Sequence, residues 1–317
     1  MLIKLTTFID KLNIKMIIRK NIFKKFNWLN NQKRPFIISA DYDGLICSAF
    51  LSHFLKWNLV GYYNMEKIWI SKEGIERKNE LIWVDLNIVP KSGKSFGGHI
   101  AMIDKTLPPG LKTSCNPNIL LKLTHDDFSN KYPLSTITFL MWLYKIKIPT
   151  NKIAKFLILH SDSTWLKFQK YQQNFNNWVT LLKDYNWNNL LNNIDTIEYE
   201  KKIDQIFYPL LIEAGASSGF SKLVSKHLGI KSREYKLNPD WDEDVILNLF
   251  DTIGKNLLWT PPKLPILHKK IKGSKYSISI DKVKKMGLNN LIKSKKIFSY
   301  AITNSNTIKY TVFENIE

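Results

Sequence analysis

Two carboxylates placed directly after an apolar run are the feature that most constrains how this chain of 317 residues can fold. The stretch 36–40 leads into Asp41 and Asp43, Gly44 follows, and a helix-like stretch begins at Ile46. This order predicts a buried strand, a tight turn and a helix, which is one unit of an open α/β sheet. Ligands bind such sheets at the edge formed by the carboxyl ends of the strands. We therefore expect Asp41 and Asp43 at a binding edge.

The pair Asp41 and Asp43 has two interpretations. Alternate residues of an extended strand point to the same side, so the two carboxylates can face one point. Converging carboxylates repel each other unless a cation or a proton joins them, which favours a divalent-metal site. The structural alternative is an Asp-Gly turn with a helix N-cap, because aspartate serves both roles well. These residues alone leave both interpretations open.

Three more apolar runs lead to acids, and we expect these acids at the same edge of the sheet: Asp85, Asp104 and Asp162. Hard divalent cations prefer carboxylate ligands, so we predict one or two Mn²⁺ or Mg²⁺ ions there. The predicted ligands are Asp41, Asp43, Asp85 and Asp162. Two such ions about 3.5–4 Å apart can activate water and stabilise the leaving oxygen of a phosphoester. His160, beside Asp162, has an apolar flank that favours a core histidine over a ligand.

Short apolar runs alternate with helical patterns over residues 35–165, which predicts an α/β domain with a largely parallel sheet flanked by helices. The predicted strands are Phe36–Ala40, Val60–Tyr63, Lys67–Ile70, Leu81–Val84 and Ile100–Ile103. The predicted helices are Ile46–Trp57, Ser135–Lys145 and Ile153–Leu159.

The remainder of the chain divides into a helical segment, 166–260, and a small C-terminal α+β unit, 261–317. A stripe of leucine and tryptophan residues gives the first its helical period. The small residues 214–219 interrupt it, either as a loop or as a close approach to a phosphate, and Trp259–Pro265 reads as a linker. Ile297–Thr303 and Thr307–Phe313 are predicted to form a hairpin.

The first 34 residues are predicted to form a basic N-terminal extension. They carry nine lysines and arginines against one acid, Asp10. A transit peptide would have this amphipathic, nearly acid-free character, but the segment lacks serine. We expect a basic helix that lies outside the core.

The net charge of +20 and the isoelectric point near 9.7 predict a polyanionic partner, with single-stranded DNA, RNA or oligonucleotides first. A lysine-rich codon bias is the alternative. The two cysteines indicate a reducing compartment, which predicts the cytoplasm of a bacterium or phage-infected cell, or an organelle matrix. No apolar run approaches the ~18–20 residues of a membrane span, so no membrane partner is expected. The oligomeric state is not indicated.

The acidic motifs carry a resemblance to a known superfamily. Asp41-Tyr42-Asp43-Gly44, followed by Ser48, resembles the first motif of the DHH phosphoesterases, which include RecJ-type single-strand exonucleases and oligoribonucleases. Asp85 resembles the second motif, Asp104 stands where the third begins, and Asp162 resembles the fourth. The resemblance covers residues 36–165 and implies a DHH-like fold.

The chain departs from this superfamily at the third motif. Lys105 and Thr106 stand where two histidines would follow Asp104. The segment also looks like a divergent group of phage and bacterial proteins that share a Gly/Asn-His stretch, an Asn-Pro-Asn and a Lys-Tyr-Pro-x-Ser-Thr helix start. That likeness implies that His99 is the third element.

In this interpretation His99 completes a metal shell or protonates the leaving group, with Asp104 orienting its ring. Lys105 would meet a phosphate, and Asn116 and Asn118 would contact the substrate. His99 as a hydrogen-bonded turn residue, and Asn116-Pro117-Asn118 as a turn, are the structural alternatives.

The function expected from these features is metal-dependent hydrolysis of phosphoesters in single-stranded nucleic acid or short oligonucleotides. One alternative is a catalytically inactive, DHH-like nucleic-acid-binding or scaffold protein. A second is a hydrolase of nucleotide second messengers. The substrate, the polarity of attack and the metal are left open by the sequence.

Overall fold

The computed structural model describes residues 17–90, 93–213, 219–224, 231–235, 237, 239–240 and 243–314. The chain divides into two compact units. The first consists of Met1–Ser39, Asn58–Tyr132 and Leu264–Glu317, and the second of Ala40–Trp57 and Pro133–Lys263. The last change of unit, between Lys263 and Leu264, falls within the linker predicted at Trp259–Pro265.

A seven-stranded, mostly parallel sheet forms the centre of the first unit. Its strands are β1 (Pro35–Ser39), β2 (Asn58–Tyr63), β3 (Lys67–Ser71), β4 (Ile82–Val84), β5 (Lys94–Phe96), β6 (Ser114–Cys115) and β9 (Leu267–Lys272). Their order is β6-β5-β4-β1-β2-β3-β9. The pairs β1–β2, β1–β4, β4–β5 and β5–β6 are parallel, whereas β2–β3 and β3–β9 are antiparallel.

The buried strands explain the parallel centre of this sheet. All five residues of β1 and all three of β4 are buried, as expected for strands covered on both faces. The hairpin between β2 and β3 needs a glycine at Gly61, because a Cβ there would lie 2.2 Å from the carbonyl oxygen of Trp69. The edge strand β9 is mostly exposed and rich in lysine, a composition that discourages further pairing.

The first unit also contains helices and a small antiparallel sheet. Its helices are α1 (Arg19–Lys25), α3 (Lys72–Glu76), α4 (Pro117–Leu120), α12 (Ile280–Met286) and α13 (Leu288–Lys295). The small sheet has the order β10-β12-β11 and consists of β10 (Ser274–Ser279), β11 (Ile297–Asn304) and β12 (Thr307–Val312). The hairpin predicted near the C-terminus is therefore confirmed, with its turn at Ser305 and Asn306.

The second unit is mainly helical. Its helices are α2 (Tyr42–Leu55), α5 (Thr136–Leu143), α6 (Lys152–His160), α7 (Thr164–Lys170), α8 (Gln172–Leu181), α9 (Asn188–Leu191), α10 (Thr196–Glu213) and α11 (Glu243–Leu257). A hairpin of β7 (Gly219–Val224) and β8 (Lys231–Tyr235) also belongs to it. The segment predicted as helical, 166–260, therefore also contains a β-hairpin. Ala214–Ser218, most of the small-residue stretch, lies outside the described residues.

The predicted α/β class is confirmed at the level of a mostly parallel sheet flanked by helices, with a small antiparallel sheet near the C-terminus. The strand predicted at Ile100–Ile103 is wrong. The strand that pairs with β4 is β5, and Gly97 and Gly98 follow it. The stretch after them is buried but makes only an isolated bridge, between Met102 and Thr124.

The prediction that residues 1–34 lie outside the core is wrong for the part of them that the structure describes. Ile22, Phe26, Trp28 and Leu29 are each at most 5% exposed. The Trp28 ring packs edge-on against Phe96, with the ring centroids 5.1 Å apart. The apolar side chains, and not the lysines, therefore decide where this segment packs. Residues 1–16 lie outside the described range.

Across the described residues, the helices are too short or too polar to cross a lipid bilayer.

Candidate metal centre

The pairing of β1 with β4 places the first acid of the candidate centre. Phe36, Ile37 and Ile38 pair in parallel with Ile82, Trp83 and Val84. Ser39 and Asp85 are the next residues along these two strands, and the Ser39 hydroxyl donates to the Asp85 carboxylate at 3.3 Å. Asp85 has a φ of +63°, a left-handed conformation that aspartate tolerates better than most residues. Asp85 thus lies at the carboxyl end of the sheet, as predicted.

Asp41 lies just beyond the end of β1 and caps α2. Its backbone is extended, and its carboxylate accepts a hydrogen bond from the Gly44 N–H at 3.0 Å. Gly44 therefore belongs to the first turn of α2 and does not form a separate glycine turn. Of the structural alternative, the N-cap is therefore confirmed for Asp41 and the Asp-Gly turn is not, and the cap engages only one oxygen of the carboxylate.

Asp43 is buried in the first turn of α2, with 7% of the residue exposed. One of its oxygens accepts hydrogen bonds from the Ser161 hydroxyl at 2.7 Å and from the Asp162 N–H at 2.5 Å. Both donors come from the short turn after α6, more than 100 residues along the chain. These bonds hold the carboxylate of Asp43 in one orientation.

The carboxylates of Asp41, Asp43 and Asp85 form a cluster, with one ligand oxygen of each within 4.8 Å of the others. Oxygen ligands lie about 2.0–2.6 Å from Mg²⁺ or Ca²⁺, so two oxygens on opposite sides of one ion are about 4–5 Å apart. The spacing of the cluster therefore fits a single hard cation. Asp43 is buried and the other two acids are half-buried. This cluster of three acids could bind a metal ion.

Asp162 lies near Asp43 but is not a member of the three-acid cluster. The apolar run before Asp162 forms α6, at the helix predicted for Ile153–Leu159, so this acid follows a helix and does not end a strand of the sheet. Its carboxylate is 2.7 Å from the ammonium group of Lys167. Asp162 and Ser163 both have left-handed backbones, with φ of +48° and +54°. Backbone of this kind costs free energy and is concentrated at functional sites. Metal binding by Asp162 stays a prediction.

His99 lies in a loop of the first unit that two buried asparagines hold in place. The side-chain amide of Asn116 donates to the carbonyl oxygen of His99 at 2.8 Å, and that of Asn118 donates to the carbonyl oxygen of Gly98 at 2.7 Å. Asn118 also accepts from the N–H of Tyr132. Asn116 and Asn118 are both 0% exposed. Their side chains therefore brace this loop, while Asn116 also caps α4 in place of the turn that was the alternative, and contact of either asparagine with a substrate stays a prediction.

Asp104 and Lys105 are exposed in the turn that follows this loop. Asp104 does not end a strand, and its carboxylate accepts from the N–H of Thr106 at 2.7 Å. The roles predicted for His99, Asp104 and Lys105 stay predictions. His160 is buried against the rings of Tyr42 and Phe207, which confirms it as a core residue.

Sequence reasoning missed the hydroxyl donors around the acids. Ser39 donates to Asp85 and Ser161 donates to Asp43. Ser39 ends β1, two residues before Asp41, and Ser161 directly precedes Asp162. Serine is too common at such positions for the sequence to have identified either residue as a partner of an acid. Asn87, two residues beyond Asp85, accepts from Asn116 at 3.2 Å and links the segment after β4 to the His99 loop.

Comparison with known proteins identifies no relative: no family model, no curated protein and no solved structure matches this chain.

Proposed function

We propose that the cluster of Asp41, Asp43 and Asp85 binds a divalent cation and that the protein uses it to hydrolyse phosphoesters. The observation that carries the proposal is the spacing of the three carboxylates, whose ligand oxygens lie within 4.8 Å of one another. Three converging negative charges destabilise a fold unless something neutralises them. Carboxylate-only donor sets suit Mg²⁺ and Mn²⁺ better than softer metals.

The position of the cluster supports catalysis more than a structural metal. Asp85 follows β4 and Asp41 follows β1, at the carboxyl edge where open α/β sheets bind their ligands. A bound divalent ion would polarise a phosphoryl oxygen and lower the pKa of a bound water. The protein's own contribution would be orientation: Ser161 and the Asp162 N–H hold Asp43, and Ser39 holds Asp85.

The substrate class is proposed from charge and from the resemblance of the acidic motifs to those of DHH phosphoesterases. A net charge of +20 attracts polyanions, and single-stranded nucleic acid or short oligonucleotides are the polyanions that such enzymes hydrolyse. His99 would donate a proton to the leaving oxygen from a loop braced by Asn116 and Asn118. Nucleotide second messengers would satisfy the same chemistry with a smaller substrate.

One observation favours a second candidate, a scaffold or nucleic-acid-binding protein without catalysis. The carboxylate of Asp162, which resembles the fourth acid of the family pattern, is paired with Lys167. The ammonium group of Lys167 already neutralises the negative charge of Asp162, which would otherwise attract a second cation. A protein with only one cation site would bind metal and nucleic acid without the two-ion chemistry of phosphoester cleavage.

The test is metal-dependent release of nucleotides from end-labelled single-stranded oligonucleotides of graded length. We expect cleavage with Mn²⁺ or Mg²⁺ and none in a chelator. Asp85→Asn should lower the rate by more than the roughly 10²–10⁴-fold that a single general acid supplies. Asparagine tolerates the left-handed backbone at this position, so the variant should fold normally. Asp281→Asn, in the exposed first turn of α12, is the matched control and should cleave like wild type.

Two outcomes would contradict the proposal. If wild-type protein binds Mn²⁺ by calorimetry yet cleaves no oligonucleotide or cyclic nucleotide, the scaffold candidate is the better account. If neither Mn²⁺ nor Mg²⁺ binds, the three acids are not a metal site.

A further inference from the structure

A cavity of about 500 Å³ lies within the first unit, against one face of the seven-stranded sheet. Its volume falls within the roughly 300–1,000 Å³ that small-molecule sites occupy. Its apolar walls come from β3, α3, β4, β9, β11 and the segment after β12: Ile68, Ile70, Ile75, Trp83, Ile271, Phe298 and Phe313. It is separate from the acidic cluster, because none of the three clustered acids lines it.

The strand register explains why the cavity is apolar. Ile68 of β3 pairs with Ile271 of β9, and Ile70 pairs with Lys269. Directly opposed residues of an antiparallel pair share a face, so these four side chains lie on the cavity side of the sheet. Trp83 and Phe298 pack edge-on with ring centroids 5.3 Å apart. Further into the protein these walls join the largely buried apolar core of the unit.

The rim of the cavity is cationic. Of the charged residues that line it in the described part of the chain, three are lysines, Lys78, Lys269 and Lys296, and one is an acid, Glu314. All three lysines are exposed. Within the described part of the chain, no carboxylate forms an ion pair with any of the three ammonium groups. An apolar interior below a positively charged rim is complementary to an anion that carries an apolar body.

We propose that this cavity binds a small anion with a hydrocarbon body, such as a fatty carboxylate. Its chain would lie among the isoleucine and aromatic side chains, and its carboxylate would meet Lys78, Lys269 and Lys296 at the rim. A nucleotide fits less well. Among the lining residues that the structure describes, Asn79 has the only amide or hydroxyl side chain, so most of a base's hydrogen-bonding edge would be buried without such partners.

The test is calorimetric titration of the purified full-length protein with dodecanoate, with dodecanol and AMP as comparison ligands. We expect dodecanoate to bind more tightly than either comparison ligand. Lys269→Glu should weaken dodecanoate binding at least tenfold. Lys270→Glu is the matched control and should leave it unchanged, because Lys270 is the next residue of β9 and its side chain lies on the opposite face.

A second variant tests the interior. Ile271→Trp, at a half-buried position of the edge strand, should fill the cavity and abolish binding, while circular dichroism reports an unchanged fold. The proposal is overturned if Lys269→Glu and Lys270→Glu bind dodecanoate equally well. It is also overturned if dodecanol binds as tightly as dodecanoate, or if AMP binds more tightly than dodecanoate.

Discussion

At the scale of the residue, Asp41 shows that a capping role and a ligand role do not exclude each other. One oxygen of its carboxylate accepts the Gly44 N–H, while the side chain belongs to the three-acid cluster. The positive end of the α2 dipole also favours negative charge at this position. Part of the repulsion between the acids is therefore offset without a metal.

Because Asp41 both caps α2 and belongs to the three-acid cluster, substitutions of this residue can distinguish its effect on folding from its effect on metal binding. Asparagine caps helices as well as aspartate does, so Asp41→Asn should keep the cap and remove one of the clustered charges. We expect its melting temperature in chelator to equal or exceed that of wild type. We expect added Mn²⁺ to raise the melting temperature of wild type but not of Asp41→Asn, because ligands stabilise only the state that binds them.

Asp41→Ala provides the comparison for the cap. It should lose about 1 kcal/mol of stability in chelator, because no side chain replaces the cap. An Asp41→Asn protein that still gains the full stabilisation from Mn²⁺ would show that Asp41 is not a ligand.

At the scale of the element, the C-terminal hairpin is tied to the large sheet within the first unit. The Tyr63 hydroxyl of β2 lies 2.5 Å from the Ser299 hydroxyl of β11, and the N–H of Val89 donates to the carbonyl oxygen of Phe298 at 2.8 Å. Tyr300 donates to the carbonyl oxygen of Ala101. The chain thus returns after the second unit to complete the core of the first.

Tyr63 makes this tie sensitive to alkaline pH. Burial raises the pKa of Tyr63 to about 12 from its usual 10, partly opposed by its hydrogen bond to Ser299. A raised native pKa means that the unfolded state releases the proton first. The free energy of unfolding should therefore fall as pH rises from 10 to 12, by at most about 1.4 kcal/mol per pH unit from this residue.

Urea unfolding between pH 9 and 11.5 measures this dependence. Burial also raises the pKa of Cys115 and of Tyr300, so wild type should lose stability through these groups as well. Tyr63→Phe should be less stable than wild type at pH 9 but should lose stability less steeply above pH 10. The control Tyr171→Phe, at an exposed position, should keep the wild-type slope. If the free energy of unfolding fell equally steeply with pH in Tyr63→Phe and in wild type, the assignment of this pH dependence to Tyr63 would be wrong.

At the scale of the whole molecule, the positive charge is concentrated in two stretches of sequence, residues 1–34 and residues 263–296. Residues 263–296 contain eleven lysines and one acid, Asp281. They therefore contribute +10 to the chain's net charge of +20. All eleven lysines are exposed. They lie on β9, β10, α12, α13 and the adjoining loops. A codon bias toward lysine would not by itself concentrate half of the net charge in a tenth of the chain.

This concentration of charge predicts where a polyanion binds. Affinity for single-stranded DNA or RNA should fall steeply with salt, because each neutralised phosphate releases counterions. Replacing Lys282 and Lys285 of α12 by glutamate should weaken binding and flatten the salt dependence. The same change at Lys201 and Lys202 of α10 alters the net charge equally and should have a smaller effect. Equal effects of the two pairs would mean that only the total charge matters.

The sequence by itself determined the local features of the protein. Apolar runs marked β1 to β4, an Asn-Ser-Asn turn marked the C-terminal hairpin, and acids were placed correctly at the ends of β1 and β4. These predictions succeeded because side-chain periodicity and turn chemistry act over a few residues. The apolar run Ile100–Ile103 is short, and all of its residues are buried. A local pattern of this kind could not distinguish a strand from a loop.

Only the tertiary structure decided which acids converge. Asp43 accepts hydrogen bonds from donors more than 100 residues away in the sequence, and Asp162 pairs with Lys167. The lysine-rich strand β9, which follows the second unit in the sequence, pairs with β3. Such contacts depend on how apolar surfaces far apart in the chain pack together, and residue spacing does not encode that packing. The cavity beneath Lys269 arises in the same way, because its walls come from segments up to about 245 residues apart.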